Sequence, residues 1–152
     1  MKRLHIHMSV TDLEKNKLYY TALFGQEPTK VKEDYIQWLV DDPAINFAIS
    51  TNKEELGINH LGIQVDSDEA LEVIEKRLEA VNIEGQKQEE AQCCYASSKK
   101  LWSIDPQNTI WETYHTMEQI EVFGGDNFTG GEGCCTPKVS ANGMWATGNE
   151  CC

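Results

Sequence analysis

No stretch of this chain is apolar enough, for long enough, to span a bilayer. Its opening Met1-Lys2-Arg3 runs into His5 and His7 rather than into the apolar core of a secretory signal. Positive charge is scarce. Thirteen lysines and arginines face 25 aspartates and glutamates, a net charge of −12. That balance argues against nucleic acid and against an anionic membrane as partners. The expected compartment is the cytoplasm, where thiols stay reduced. Also missing is any solitary cysteine, because all six stand as neighbours: Cys93-Cys94, Cys134-Cys135 and Cys151-Cys152. A disulfide between adjacent residues closes a small strained ring and restrains almost no chain. Two adjacent thiolates instead offer two soft ligands to one thiophilic atom.

What is present is enough for one domain with a core, in 152 residues. Composition shifts after about Glu118, beyond which lie seven of the eleven glycines, two of the three cysteine pairs and no apolar periodicity. The reading is a folded domain over about residues 1–118 and a flexible Gly- and Cys-rich tail over 119–152.

The folded part repeats itself. Leu4–Val10 alternates apolar and polar side chains, as a half-buried strand does. Thr11 or Asp12 can cap the following helix, whose apolar positions Leu13, Tyr20, Leu23 and Phe24 end at Gly25. Strands are expected around Thr29–Lys32, Tyr35–Val40 and Ile45–Ser50. The second module (about 56–118, after 1–55) repeats the order: a strand over Ile58–Val65, a helix capped by Asp66 or Ser67, then strands over Gln88–Cys93, Ser98–Ile104 and Thr109–His115. His5 sits five residues before Val10 and His60 five before Val65, and Asp42-Pro43 matches Asp105-Pro106. The expected fold class is α+β, two βαβββ modules forming a curved mixed sheet around a metal-centred cavity.

In that arrangement His5 and His60 occupy equivalent places on the cavity wall, and the last strand supplies one carboxylate, Glu112. Counted from the Asp-Pro landmarks, the first-module equivalent of Glu112 is Ile49, which cannot coordinate. Two histidines and one carboxylate with open positions suit non-haem Fe(II) and oxygen chemistry, although Mn(II), Ni(II) or Zn(II) could occupy the same ligands. Taken singly, a strand histidine is usually a partly exposed residue with one hydrogen bond; the repeat is what joins these three. His7, His115 and Tyr114 are further candidates for orienting a ligand or substrate, set against the plainer reading of His7 and His115 as surface histidines. Cys93 and Cys94 end a strand, where neighbouring side chains point to opposite faces, so both sulfurs can reach one atom only if the backbone breaks there.

These residues together resemble the vicinal oxygen chelate superfamily, which includes type I glyoxalases and extradiol dioxygenases (the glyoxalase, bleomycin resistance and dioxygenase fold). More closely the chain resembles the ArsI-type C–As bond lyases of the ArsI/CadI family. The likeness spans about residues 1–118, in His5…Val10-Thr11-Asp12-Leu13-Glu14, Tyr19-Tyr20…Leu23-Phe24-Gly25, Glu27–Val31, His60–Val65, Cys93-Cys94-Tyr95-Ala96 and Asp105-Pro106…Trp111-Glu112. It departs at the last hairpin, where the family has Gly and Asn108 must take the turn.

The resemblance implies an Fe(II)- and O2-dependent dioxygenase that cleaves trivalent organoarsenicals, methylarsenite or aromatic arsenicals, to inorganic arsenite. It implies iron on His5, His60 and Glu112 and arsenic on Cys93 and Cys94. A monomer can be complete, since one chain supplies both modules. The competing readings are a cadmium or arsenite sequestration protein without catalysis, and a glyoxalase-like metalloenzyme.

Overall fold

The computed structural model describes residues 1–51, 55–93, 95–119, 121, 137, 144 and 145, with 90, 92 and 93 described by backbone alone. Cys94, Cys134, Cys135, Cys151 and Cys152 therefore lie outside the described residues, as does most of the segment read as a tail. The elements are β1 (Arg3–Ser9), α1 (Leu13–Phe24), β2 (Lys30–Val31), β3 (Tyr35–Val40), β4 (Ile45–Ser50), β5 (Gly57–Val65), α2 (Asp68–Glu79), β6 (Gln86–Cys93), β7 (Ala96–Ile104) and β8 (Ile110–Gln119). They form one eight-stranded sheet in the order β2-β3-β4-β1-β5-β8-β7-β6. The order reads as the same βαβββ plan twice, outward from a central antiparallel β1–β5 pair. Each first strand also pairs in parallel with its own module's last, β1 with β4 and β5 with β8.

Local chemistry sets the boundaries. The Asp12 side chain accepts from the Lys15 amide at 3.0 Å, and Gly25 takes the left-handed conformation (φ 66°) that ends α1. Ser67 caps α2 through the Ala70 amide. Asn108 turns the last hairpin at φ 65°, as its short polar side chain allows, and the Asp105 side chain accepts from the amides of Gln107 and Thr109. Among the described residues no helix is long and apolar enough to cross a membrane.

The sheet has two unlike faces. Ile6, Met8 and Val10 join Ile36, Trp38, Val40, Phe47 and Ile49 against Leu13, Tyr20 and Phe24 of α1. Leu23, counted with that apolar stripe, is instead exposed. The other face of β1 carries His5, His7 and Ser9, and these polar residues are the more deeply buried set. The alternation thus separates an apolar layer under a helix from a polar interior, rather than core from solvent.

That separation corrects one expectation. Ile49 packs in the α1 core, so it is not the counterpart of Glu112. The register pairs Glu112 with Gly62 on β5, and Ala48 with His7, the corresponding residue of β1. Ala48 stands in the equivalent place because the second Asp-Pro turn holds one residue more than the first. An alanine coordinates no better than an isoleucine.

Candidate metal centre

His5 and His60 reach the interior from the two central strands. The β1–β5 register shifts between His7 and Met8, so that Asn59 is an extra residue on β5. Such a bulge re-aims neighbouring side chains, and here Asn59 Oδ1 bonds His60 Nδ1 at 2.7 Å. His5 Nδ1 donates to the Asn46 carbonyl at 3.0 Å. A carbonyl oxygen only accepts, so in both rings Nδ1 carries a proton, which leaves Nε2 as the atom able to coordinate.

Those Nε2 atoms converge. The two Nε2 atoms are 3.2 Å apart, and Glu112 Oε2 is 3.5 Å from that of His5 and 3.3 Å from that of His60. Donors about 2.1 Å from one ion, at tetrahedral to octahedral angles, stand roughly 3.0–3.4 Å apart. Three electron-rich atoms at this spacing fit a divalent cation and repel one another without positive charge among them. Burial lowers the His5 imidazole to about 4, outweighing the nearby Glu112 carboxylate, so His5 is neutral and able to ligate at neutral pH.

Sequence reasoning missed the partner of the other Glu112 oxygen. Lys100 Nζ donates to Oε1 at 2.6 Å, with lysine and glutamate both buried, and lies 5.5 Å from the centre of the Trp102 ring. Burial works against the Glu112 carboxylate, but the surrounding charge, that of Lys100 foremost, overcomes it and holds the group well below the usual carboxylate range. Lys100 is legible only once β7 is known to face the cavity with Trp102, since lysine on a strand ordinarily reads as solvated. Gly62 was missed as well. A Cβ there would overlap the Glu112 carbonyl oxygen and lie 3.3 Å from the Glu112 Cβ, so only glycine lets β8 bring the carboxylate this close.

The remaining candidates divide. His7 is buried, not a surface histidine: its ring lies 5.1 Å from that of His60, and its Nε2 bonds Ser50 Oγ at 2.9 Å. The nitrogens of His5, His7 and His60 all lie within 4.8 Å of one another, so His7 is a fourth potential donor, looser than Glu112. Tyr114 stands edge-on to His5 at 5.2 Å, its hydroxyl accepting from Asn46 Nδ2 at 2.6 Å. Asn46 also binds Gln37 and Gln64, a polar floor that keeps the His5 carbonyl partner in place. His115 does not belong here. It lies on the opposite face of β8, bonding Asp68 at the start of α2.

Beyond His7 a run of rings leads away from the centre, His7 to Tyr35 at 6.1 Å and Tyr35 to Tyr95 at 5.9 Å. Tyr95 follows the cysteine pair, and its φ of 62° marks a sharp turn between the end of β6 at Cys93 and the start of β7 at Ala96. β6 therefore ends at Cys93, just before this turn. The first module holds Tyr95 from several sides. Asp34 accepts from its hydroxyl at 2.5 Å, Lys32 lies 5.0 Å from its ring centre, and Lys30 donates to its carbonyl at 3.3 Å.

The chain is 36% identical, over its whole length and 91% of the relative's, to a trivalent organoarsenical cleaving enzyme from Bacillus sp. (strain MD1). It is 30% identical to the cadmium-induced protein CadI of Mycobacterium tuberculosis (strain H37Rv), covering 92% of this chain and 97% of that one. Solved structures share the architecture. A homoprotocatechuate 2,3-dioxygenase variant from Brevibacterium fuscum matches with a TM-score of 0.58 at 15% identity, over 80% of this chain and 34% of that one. The Mn(II)-bound glyoxalase of Novosphingobium aromaticivorans matches with a TM-score of 0.55 at 13% identity, over 80% of this chain and 43% of that one. The fold is that of the vicinal oxygen chelate proteins. No protein-family model matches the chain.

Proposed function

The chain belongs to the family of the trivalent organoarsenical cleaving enzymes, and from that membership we propose that it cleaves the C–As bond of trivalent organoarsenicals, methylarsenite or aromatic arsenicals, releasing inorganic arsenite. The observation that carries this reading is the convergence of His5, His60 and Glu112 on one point inside the sheet. These three would hold a divalent metal, which we take to be Fe(II), and such an ion supplies dioxygen activation. For methylarsenite the atoms balance with O2 alone. One methylarsenous acid and one dioxygen contain the atoms of one arsenous acid and one formaldehyde, so no external reductant is needed.

The protein's own part is positioning. A trivalent arsenical with one carbon substituent has two exchangeable positions, matching the thiolates of Cys93 and Cys94. Held by both, the arsenical presents its carbon to the interior, and an encounter becomes an intramolecular reaction. Tyr95, gripped by Asp34 and Lys32, anchors the turn that bears the pair. The imidazoles of His5 and His60 and the ionised Glu112 stand ready for a cation, while Trp102, against the His60 ring, and Tyr114, against that of His5, wall the cavity. A domain of about residues 1–118 carries all of these groups, with 119–152 an appendage to it.

The test is incubation of the full chain with Fe(II) and methylarsenite, with and without air, following arsenite and formaldehyde. Oxygen-dependent release of both in equal amounts is expected. Arsenical binding without release under either condition would leave a sequestration protein. Cys93→Ser or Cys94→Ser should abolish turnover with metal binding intact, and full activity in either variant would overturn the clamp.

A further inference from the structure

We propose that Lys100 is a positioning residue that confines Glu112 to coordination through a single oxygen and thereby keeps one more metal position free for the reactants. The inference rests on the reading of His5, His60 and Glu112 as the metal site. A carboxylate can bind an ion through one oxygen or both, and the two modes differ by one occupied position. Here the oxygens have separate assignments: Oε2 faces both histidine nitrogens, at 3.5 and 3.3 Å, and Oε1 faces Lys100 at 2.6 Å. For both oxygens to reach one ion, Oε1 would have to leave a buried ammonium, and breaking a buried charge-assisted pair is strongly unfavourable.

The register carries the point further. Lys100 pairs across the ladder with Tyr114, and in the first module Tyr35 pairs with Ser50 at the equivalent place. Tyr35 and Ala48 thus stand where Lys100 and Glu112 stand in the second module. The lysine and the glutamate occur together in one half and are together absent from the other, as expected of a functional pair. Lys100 has little freedom to retreat, because Trp102 lies beside it and the antiparallel β7–β8 ladder fixes its strand.

The experiment loads the full chain with Co(II), whose visible absorption weakens as coordination number rises. Wild type, Lys100→Met, Lys100→Gln and Lys100→Arg are compared for absorption, Co(II) affinity, melting, and kcat with Fe(II) under full metal occupancy. Expected for the methionine and glutamine variants is stoichiometric Co(II) with affinity equal or tighter, absorption lowered by about twofold, and kcat reduced on the order of tenfold or more. Lys100→Arg should restore the wild-type spectrum. A wild-type spectrum in the folded methionine or glutamine variant would overturn the proposal, and so would failure of both to fold, which would make Lys100 a purely structural residue. The metal-site reading fails separately, and visibly, if Co(II) binding to the wild-type residues survives His60→Ala.

Discussion

The two halves of the sheet share a backbone plan and diverge on their inner faces. Where the second half presents Lys100 and Glu112, the first presents Tyr35 and Ala48; where the first presents His7, the second has Gly62. The charged pair faces the histidines, whereas Tyr35 and Ala48 form a small buried cluster with Tyr95 from the cysteine-bearing turn. Duplication supplied two similar walls, and two or three side chains give them different work. One wall would complete an ion site, and the other seats Tyr95 of the turn that follows Cys93. Gly62 shows the cost of this asymmetry, since the carboxylate wall needs a bare backbone where the other wall accommodates an imidazole.

The comparison breaks most directly at Glu112. Glu112→Ala should weaken divalent-metal affinity by on the order of a hundredfold or more, read by calorimetric titration. It should also lower unfolding free energy by about 3–5 kcal/mol, since Lys100 loses its buried partner. Glu112→Ala combined with Lys100→Tyr recreates the first-half pair in the second half and should regain stability without regaining metal. Metal affinity unchanged in the single variant would remove the distinction between the halves.

A pH series sharpens the share of His5, the histidine that the first half contributes. Its pKa falls from the ordinary 6.5 to about 4 on folding. The unfolded chain therefore takes up a proton that the native metal-free protein refuses. The stabilisation is complete above about pH 6.5 and is lost as pH falls toward 4, by roughly 3 kcal/mol. Glu112, held low, adds to the loss in the same direction at more acidic pH. Urea unfolding at pH 7 and pH 5 measures this, and His5→Gln should flatten the dependence.

Smaller effects probe the glycine and the turn. Gly62→Ala asks the second half to accept a side chain, and overlap with Glu112 should cost about 1–3 kcal/mol and weaken metal binding some tenfold or more. Wild-type affinity there would show that β8 yields easily. Asp34→Ala removes one bond to Tyr95, worth about 1 kcal/mol. It should raise the KM for methylarsenite several-fold with metal affinity unchanged. A parallel loss of metal would tie the two walls together more closely than their contacts indicate.

Much of this was legible beforehand because duplication converts weak signals into paired ones. His5 and His60 are ambiguous singly and informative at matching distances from Val10 and Val65. Caps at Asp12 and Ser67, and Asn108 in its turn, follow from side-chain chemistry that acts over a few residues. The errors arose where long-range register decides. Counting from Asp-Pro reached Ile49 instead of Ala48, because one additional turn residue exchanges the faces of a strand. Whether His7 orients a ligand or lies on the surface stayed open in the sequence, because an alternating strand does not say which of its sides faces the interior. Lys100 and Gly62 matter only through what lies across the ladder from them, which no local pattern encodes.

His5 and His60 also stand on opposite sides of the seam where the two modules pair, and each belongs to a different half of the chain. An ion held between them is a removable cross-link, closing the long loop from one central strand to the other. Such a staple would couple the integrity of the protein to metal supply, and its melting temperature would rise with the free concentration of the ion.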